Sequence, residues 1–148
     1  MKGDPTAWGP RVLLVEDNEE NRRLLREVLS ASGVQVVGEA GDGQTGVELA
    51  IALEPDVVLM DLRMPVVAGT GATRMIKQAL PSTQVVILTS YEGELLQRTT
   101  QMSGAYAFLV KGCPPEAIRN VVYQAWRYKI GMEHHARLLK GDSPEMLG

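Results

Sequence analysis

Five short apolar runs punctuate the chain: Val12 to Val15, Gln35 to Ala40, Val57 to Met60, Val85 to Leu88 and Ala107 to Val110. Each is bounded by Gly, Pro or polar residues, and the runs are continuous rather than alternating. Strands covered by helices on both faces of their sheet read this way. Between the runs the period changes. Leu24, Leu25, Val28 and Leu29 recur at helical intervals and stop at Gly33, a residue suited to the position past a helix end. Val47, Ala50 and Ile51 do the same ahead of Glu54 and Pro55, and Met75, Ile76 and Ala79 ahead of Pro81. Leu95, Thr99 and Met102 predict a helix over Glu94 to Met102, before Gly104. The last helix opens at Pro115, a good first helical residue, and carries Ile118, Val121, Val122, Ala125 and Trp126.

Strand and helix thus alternate five times. That alternation implies parallel strands joined by right-handed crossovers, an α/β, doubly wound five-stranded parallel sheet of (βα)5 type. The domain is expected over 11–130. Beyond Ile130 the pattern weakens through Gly131, His134, His135, Gly141 and Pro144, so 131–148 is read as a helical extension or a linker tail.

Composition narrows the class of function. With 148 residues, 45% hydrophobic and 22% charged, the chain is one ordinary globular domain with enough apolar content for its own core. A net charge of -3, with Lys and Arg scattered, argues against direct binding of nucleic acid by this domain. The lone Cys113 has no internal disulfide partner, which points to a reducing, cytoplasmic setting. Met1 to Pro10 lacks the apolar run of a signal peptide, and no stretch approaches the roughly 18 apolar residues of a membrane helix. A soluble protein with no membrane partner is expected.

In open α/β sheets ligands bind beyond the carboxyl ends of the strands. The residues ending the runs are therefore informative: Glu16 and Asp17 after the first, Asp61 after the third, Thr89 and Ser90 after the fourth, Lys111 after the fifth. Singly, each has a bland reading. Asp17, with Glu20 three residues on, fits a helix capping box. Thr89 could satisfy backbone groups at a strand end, Lys111 could be a solvated charge, and Asp61 could form a turn before Pro65. Their coincidence at one edge is what these readings leave unexplained. Three crowded carboxylates repel, by about 4 kcal/mol per pair at 4 Å and an effective dielectric near 20, so a cation belongs among them. Lys111 supplies one charge, and Mg2+, which takes one or two carboxylates with waters and phosphate oxygens, fits the remainder. A carboxylate beside such an ion can attack phosphorus and form an aspartyl phosphate, with Lys111 and Thr89 sharing the phosphoryl charge.

Val15-Glu16-Asp17-Asn18, Met60-Asp61-Leu62-Arg63-Met64-Pro65, Leu88-Thr89-Ser90 and Phe108-Leu109-Val110-Lys111 together resemble the receiver domain of bacterial two-component response regulators, over roughly Arg11 to Lys129. The resemblance implies a flavodoxin-like sheet of strand order 2-1-3-4-5. It implies that Asp61 accepts a phosphoryl group from a histidine kinase or phosphotransfer protein. Glu16 and Asp17 match the acidic pair holding Mg2+, and the Arg63 backbone carbonyl matches a further ligand. Thr89 matches the switch hydroxyl, Lys111 the phosphate-pairing lysine and Phe108 the aromatic switch. Such a domain is no enzyme in the usual sense, but assists its own phosphorylation and dephosphorylation.

The chain departs from the family at three of these positions. Glu16 stands for the first Asp, Phe108 for the frequent Tyr, and Gly112 for the usual Pro, which puts a cis peptide after Lys111 in doubt. The stretch Ser103 to Lys111 most resembles receivers that precede a LuxR-type helix-turn-helix, so transcription regulation is implied. No such second domain occurs in these residues, and the receiver either serves an output domain of a longer chain or works alone. The predicted helix over Glu94 to Met102 has Thr99 and Thr100 and few large apolar anchors. Its face, with the last strand and helix, is the expected output and homodimer surface, to which Tyr123 and Trp126 offer an aromatic contact unless they pack in the core. Tyr91 and Arg63 flank the acceptor.

Other readings compete with this one. Gly41-Asp42-Gly43-Gln44-Thr45-Gly46 matches G-x-G-x-x-G, the mark of a nicotinamide dinucleotide-binding domain. It follows the second strand rather than the first, however, and Asp42 would face a pyrophosphate. A flavin carrier needs a hydroxyl- and glycine-rich loop after the first strand, where Glu16 to Glu20 would repel phosphate. A receiver-shaped interaction module that is never phosphorylated is a further alternative. His134 and His135 read as solvated side chains rather than a metal site.

Overall fold

The described strands and helices follow one another in the order the periodicity predicts. The computed structural model describes residues 9–63, 68–90 and 103–141. Its elements are β1 (Arg11–Val15), α1 (Glu19–Ala31), β2 (Gln35–Ala40), α2 (Gly43–Leu53), β3 (Val57–Asp61), α3 (Gly69–Ala79), β4 (Gln84–Thr89), β5 (Ala107–Val110) and α4 (Pro115–Leu139). The helix predicted over Glu94 to Met102, with Pro65, Tyr91 and the tail from 142, lies outside the described residues.

The five strands are parallel and ordered β2-β1-β3-β4-β5. Every residue of β3 and β4 is buried, as the unbroken apolar runs require of strands sandwiched between helices. The sheet divides the interior. Leu14, Leu29, Leu59, Val86, Val122 and Trp126 fill the layer under α1 and α4, while Leu13, Val47, Met60, Ala72, Ile76 and Ile87 fill that under α2 and α3. Alternate residues of one strand supply opposite layers, as Leu59 and Met60 do on β3.

Helix ends carry recognisable chemistry. The cap of α1 is Asn18, whose Oδ1 accepts the Asn21 N–H at 2.9 Å, so Asp17 does not form the capping box that Glu20 suggested. Past α1 the N–H groups of Ser32 and Val34 both bond the Leu29 carbonyl, and Gly33 takes a positive φ of 78°, open to glycine at little cost. Asp42 caps α2 through the Thr45 N–H and Oγ1 at 2.8 and 2.9 Å. Its own carboxylate thus occupies the helix N-terminus where a dinucleotide phosphate would sit. Gly43 and Gly46 of the glycine motif lie within α2, and a Cβ on Gly46 would come within 2.9 Å of Val15. Close packing of helix on strand accounts for that glycine.

The last helix, α4, is continuous to Leu139, well past the point where its apolar stripe ends. Lys129 ties it to the amino edge of the sheet through Asp56 at 3.0 Å, and Glu133 lies 3.2 Å from the same ammonium. Residues 133–141 are all exposed, His134 and His135 among them. Trp126 is buried against Tyr123, rings 5.7 Å apart and edge-on, and Tyr123 donates its hydroxyl hydrogen to the Ser32 carbonyl at 2.9 Å. These two aromatics pack into the core and lock α4 to the end of α1.

Candidate functional site

Parallel register brings the polar strand ends together. Val15 pairs with Met60, Asp61 with Leu88, and Thr89 with Val110, so Glu16, Asp61, Thr89 and Lys111 emerge side by side at the carboxyl edge of the three central strands and β5. Backbone bonds fix the exits: Glu16 N–H to Ala40 O at 3.0 Å, Leu62 N–H to Leu88 O at 2.9 Å, and Lys111 N–H to Thr89 O at 2.7 Å.

Carboxylate oxygens of Glu16, Asp17 and Asp61 lie within 4.8 Å of one another. Glu16 and Asp61 are buried, 2% and 5% exposed, whereas Asp17 faces solvent. Lys111 donates to Glu16 Oε1 at 2.9 Å and lies 3.2 Å from Asp61 Oδ2, bridging the two buried acids. Burial works against its charge, but hydrogen bonds to Glu16 and Asp61, and then their negative charge, outweigh that and raise its pKa above the ordinary lysine value. One ammonium for three converging carboxylates leaves the pocket negative. Hard oxygen donors with excess negative charge are what a small divalent cation such as Mg2+ takes, so the residues present fit one. Among the described residues no other group of His, Cys, Asp or Glu converges in this way.

The remaining expected residues fall around this centre. Thr89 is buried at the end of β4, and Phe108, half-buried on β5, packs against the layer under α2 and α3. The Arg63 N–H donates to Asp61 Oδ1 at 3.3 Å, which sets the turn after β3. Gly112 takes a positive φ of 94° just after Lys111, and no cis peptide bond occurs among the described residues. Glycine makes the turn by its freedom of φ instead.

Two contributors escaped the strand-end pattern. Gly69 opens α3 directly against β3: a Cβ there would stand 2.5 Å from the Asp61 carbonyl oxygen. An isolated Gly in the sequence gives no hint of which backbone it touches. A cleft of about 290 Å³ also adjoins the site, between Leu24 and Leu25 of α1 and the Lys111-Gly112-Cys113 turn. Leu24, one of the apolar residues at helical spacing, is 47% exposed at its rim.

A flavodoxin-like parallel sheet with an acidic pocket and a lysine at its carboxyl edge is the class that fold and site define. The chain belongs to the response regulator receiver domain family, whose sequence profile matches residues 12–123. It is 38% identical over 118 residues to the uncharacterized transcriptional regulatory protein YxjL of Bacillus subtilis, covering 79% of this chain and 54% of that protein. The signal receiver domain of the putative response regulator NarL from Mycobacterium tuberculosis superposes with a TM-score of 0.77 at 32% identity, covering 80% of this chain and 96% of that one. A LuxR-family two-component response regulator from Aurantimonas sp. SI85-9A1 superposes at 0.69 and 26% identity, covering 93% and 92%. The chain spans about half the length, or less, of the curated relatives it matches. Receiver domains of this family work with histidine kinases or phosphotransfer proteins. No helix among the described residues is long and apolar enough to cross a membrane.

Proposed function

We propose that this chain is a phosphorylatable receiver in which Asp61 takes a phosphoryl group from a phosphohistidine donor, a histidine kinase or phosphotransfer protein, and that the modification switches an output surface. The observation that carries this reading is the convergence of Glu16, Asp17 and Asp61 within 4.8 Å, with Lys111 bridging the two buried acids.

An Asp61 carboxylate oxygen forms the new bond to phosphorus while the bond to the donor imidazole nitrogen breaks. The electron pair leaves with that nitrogen. Glu16, Asp17, Asp61 and the Arg63 backbone carbonyl would hold Mg2+. When bound, the ion supplies positive charge against the carboxylates and the phosphoryl oxygens. Lys111, already charged and 3.2 Å from Asp61, pairs with a phosphoryl oxygen on arrival. The Thr89 hydroxyl, one residue past the Leu88 that pairs with Asp61, donates to another. Thr89 and Phe108 lie on adjacent strands, so a shift of the hydroxyl is felt at the ring. Output through a LuxR-type DNA-binding domain, cytoplasmic residence and regulation of transcription are part of the same proposal.

The test is incubation with acetyl phosphate and Mg2+, followed by intact mass measurement. One phosphoryl adduct on the wild type, absent from Asp61→Asn and without Mg2+, is expected. An unmodified wild type under conditions that load a known receiver would make the chain an interaction module instead.

A further inference from the structure

Arg22 stands outside the acidic pocket, yet one of its hydrogen bonds reaches the backbone of a pocket residue. Its Nη1 donates to the Glu16 backbone carbonyl at 2.8 Å and its Nε to Glu39 Oε1 at 3.2 Å. Glu39, the penultimate residue of β2, is itself gripped by Arg26, whose Nη1 donates to both its oxygens at 3.0 and 2.8 Å. The guanidinium is therefore anchored on one side and holds main chain on the other.

That main-chain group is the carbonyl of the Glu16–Asp17 peptide. The other polar atoms of Glu16 are also engaged: N–H with Ala40 O, Oε1 with Lys111 and Oε2 with the Asn18 N–H. Asp17 differs. It is exposed, and among the described residues no side chain is seen bonding its carboxylate. The direction of that carboxylate is set by the backbone it hangs from, and Arg22 fixes the peptide just before it. We infer that Arg22, braced by Glu39, is a positioning residue for the metal site: it orients the Glu16–Asp17 peptide so that the Asp17 carboxylate faces the ion.

This rests on the receiver reading above, and it has a sign that electrostatics alone does not share. Removing a cation near three carboxylates should tighten binding of a divalent cation, whereas freeing the peptide should weaken it. A lysine keeps the charge but lacks the planar fork that reaches the carbonyl and Glu39 together.

The experiment is a Mg2+ titration at constant ionic strength followed by amide chemical shifts, on wild type, Arg22→Ala, Arg22→Lys and Glu39→Gln, with Leu59 and other core amides reporting the fold. Groups that orient metal ligands are worth about 10- to 100-fold in affinity. Because Arg22 acts through one peptide, a weakening of roughly tenfold is expected for Arg22→Ala and Arg22→Lys, and a smaller one for Glu39→Gln, with core shifts unchanged. Mg2+ affinity in Arg22→Ala equal to or tighter than wild type overturns the inference while leaving the receiver reading intact. Should Arg22→Ala fail to fold, Arg22→Lys decides, because it keeps the charge and loses only the fork, so Mg2+ affinity equal to wild type overturns the inference. A wild type with no saturable Mg2+ response removes the metal site, and the role of Arg22 with it.

Discussion

At the scale of single residues, Lys111 carries the electrostatic balance of the site. Its side chain is 29% exposed, so its contacts with Glu16 and Asp61 are partly screened, but both acids are buried and depend on it. Replacing it by Met leaves two buried carboxylates beside Asp17 without their ammonium. Allowing for that exposure, Lys111→Met should lower stability by about 1 to 3 kcal/mol in the absence of Mg2+. Added Mg2+ should recover more stability in the variant than in the wild type, because the ion meets a site of higher negative charge. Thermal unfolding with and without Mg2+ checks both, and equal Mg2+ responses would refute the second. The pH dependence follows from the raised pKa. A lysine held above its unfolded value of 10.5 contributes stability that is complete below that pH and lost as pH climbs through the folded value. Wild-type stability should therefore decline above about pH 10.5 more steeply than that of Lys111→Met. Lys129, also raised because Asp56 and Glu133 outweigh its burial, leaves a residual decline in both.

Among the elements, what the sequence made legible is what burial writes into it. β2 and β5 coincide with their apolar runs, and the other three strands extend past theirs only by Arg11, Asp61, Gln84 and Thr89. Those residues are polar, but backbone pairing, blind to side chains, continues through them: Asp61 pairs with Leu88 and Thr89 with Val110. Asp61 and Thr89 were visible as chemistry for the same reason that they were invisible as strand. Helix α4 shows the converse. An apolar stripe records a buried face, and residues 133–139 have none, so their helicity left no periodicity to read. Gly69 and Arg22 were illegible for a different reason: their partners, the Asp61 and Glu16 carbonyls, are backbone atoms that tertiary packing alone brings near. The exposed end of α4 also sets an expectation. Lys129 bridging Asp56 and Glu133, with the Gln84 amide on Met132 Sδ at 3.3 Å, marks where tertiary support stops. Amide exchange should be slow at Val122 and Ala125 and faster by orders of magnitude from His135 to Leu139. Equal protection along the whole helix would mean that another surface covers its end.

For the whole molecule, the sheet works as a partition. Leu59 is fully buried in the layer under α1 and α4, Ile76 in that under α2 and α3, and neither belongs to the other's cluster. Truncating a buried Leu or Ile to Ala costs about 2 to 5 kcal/mol, from lost transfer energy and from the cavity left. Sites without shared partners add to within about 0.5 kcal/mol, so Leu59→Ala and Ile76→Ala should be additive in denaturant unfolding, even where a domain of this size unfolds in one cooperative step. β3, like β1 and β4, joins the layers, since Leu59 faces one, Met60 the other, and Asp61 follows them to the edge. Paired with Leu59→Ala, Met60→Ala shares a strand backbone and should depart from additivity by more than the Ile76 pair does. Asp61 is thus set at the end of a strand through which a disturbance in either layer reaches the other. A double-mutant cycle in which Leu59 and Ile76 couple as strongly as Leu59 and Met60 would show that the sheet does not separate them.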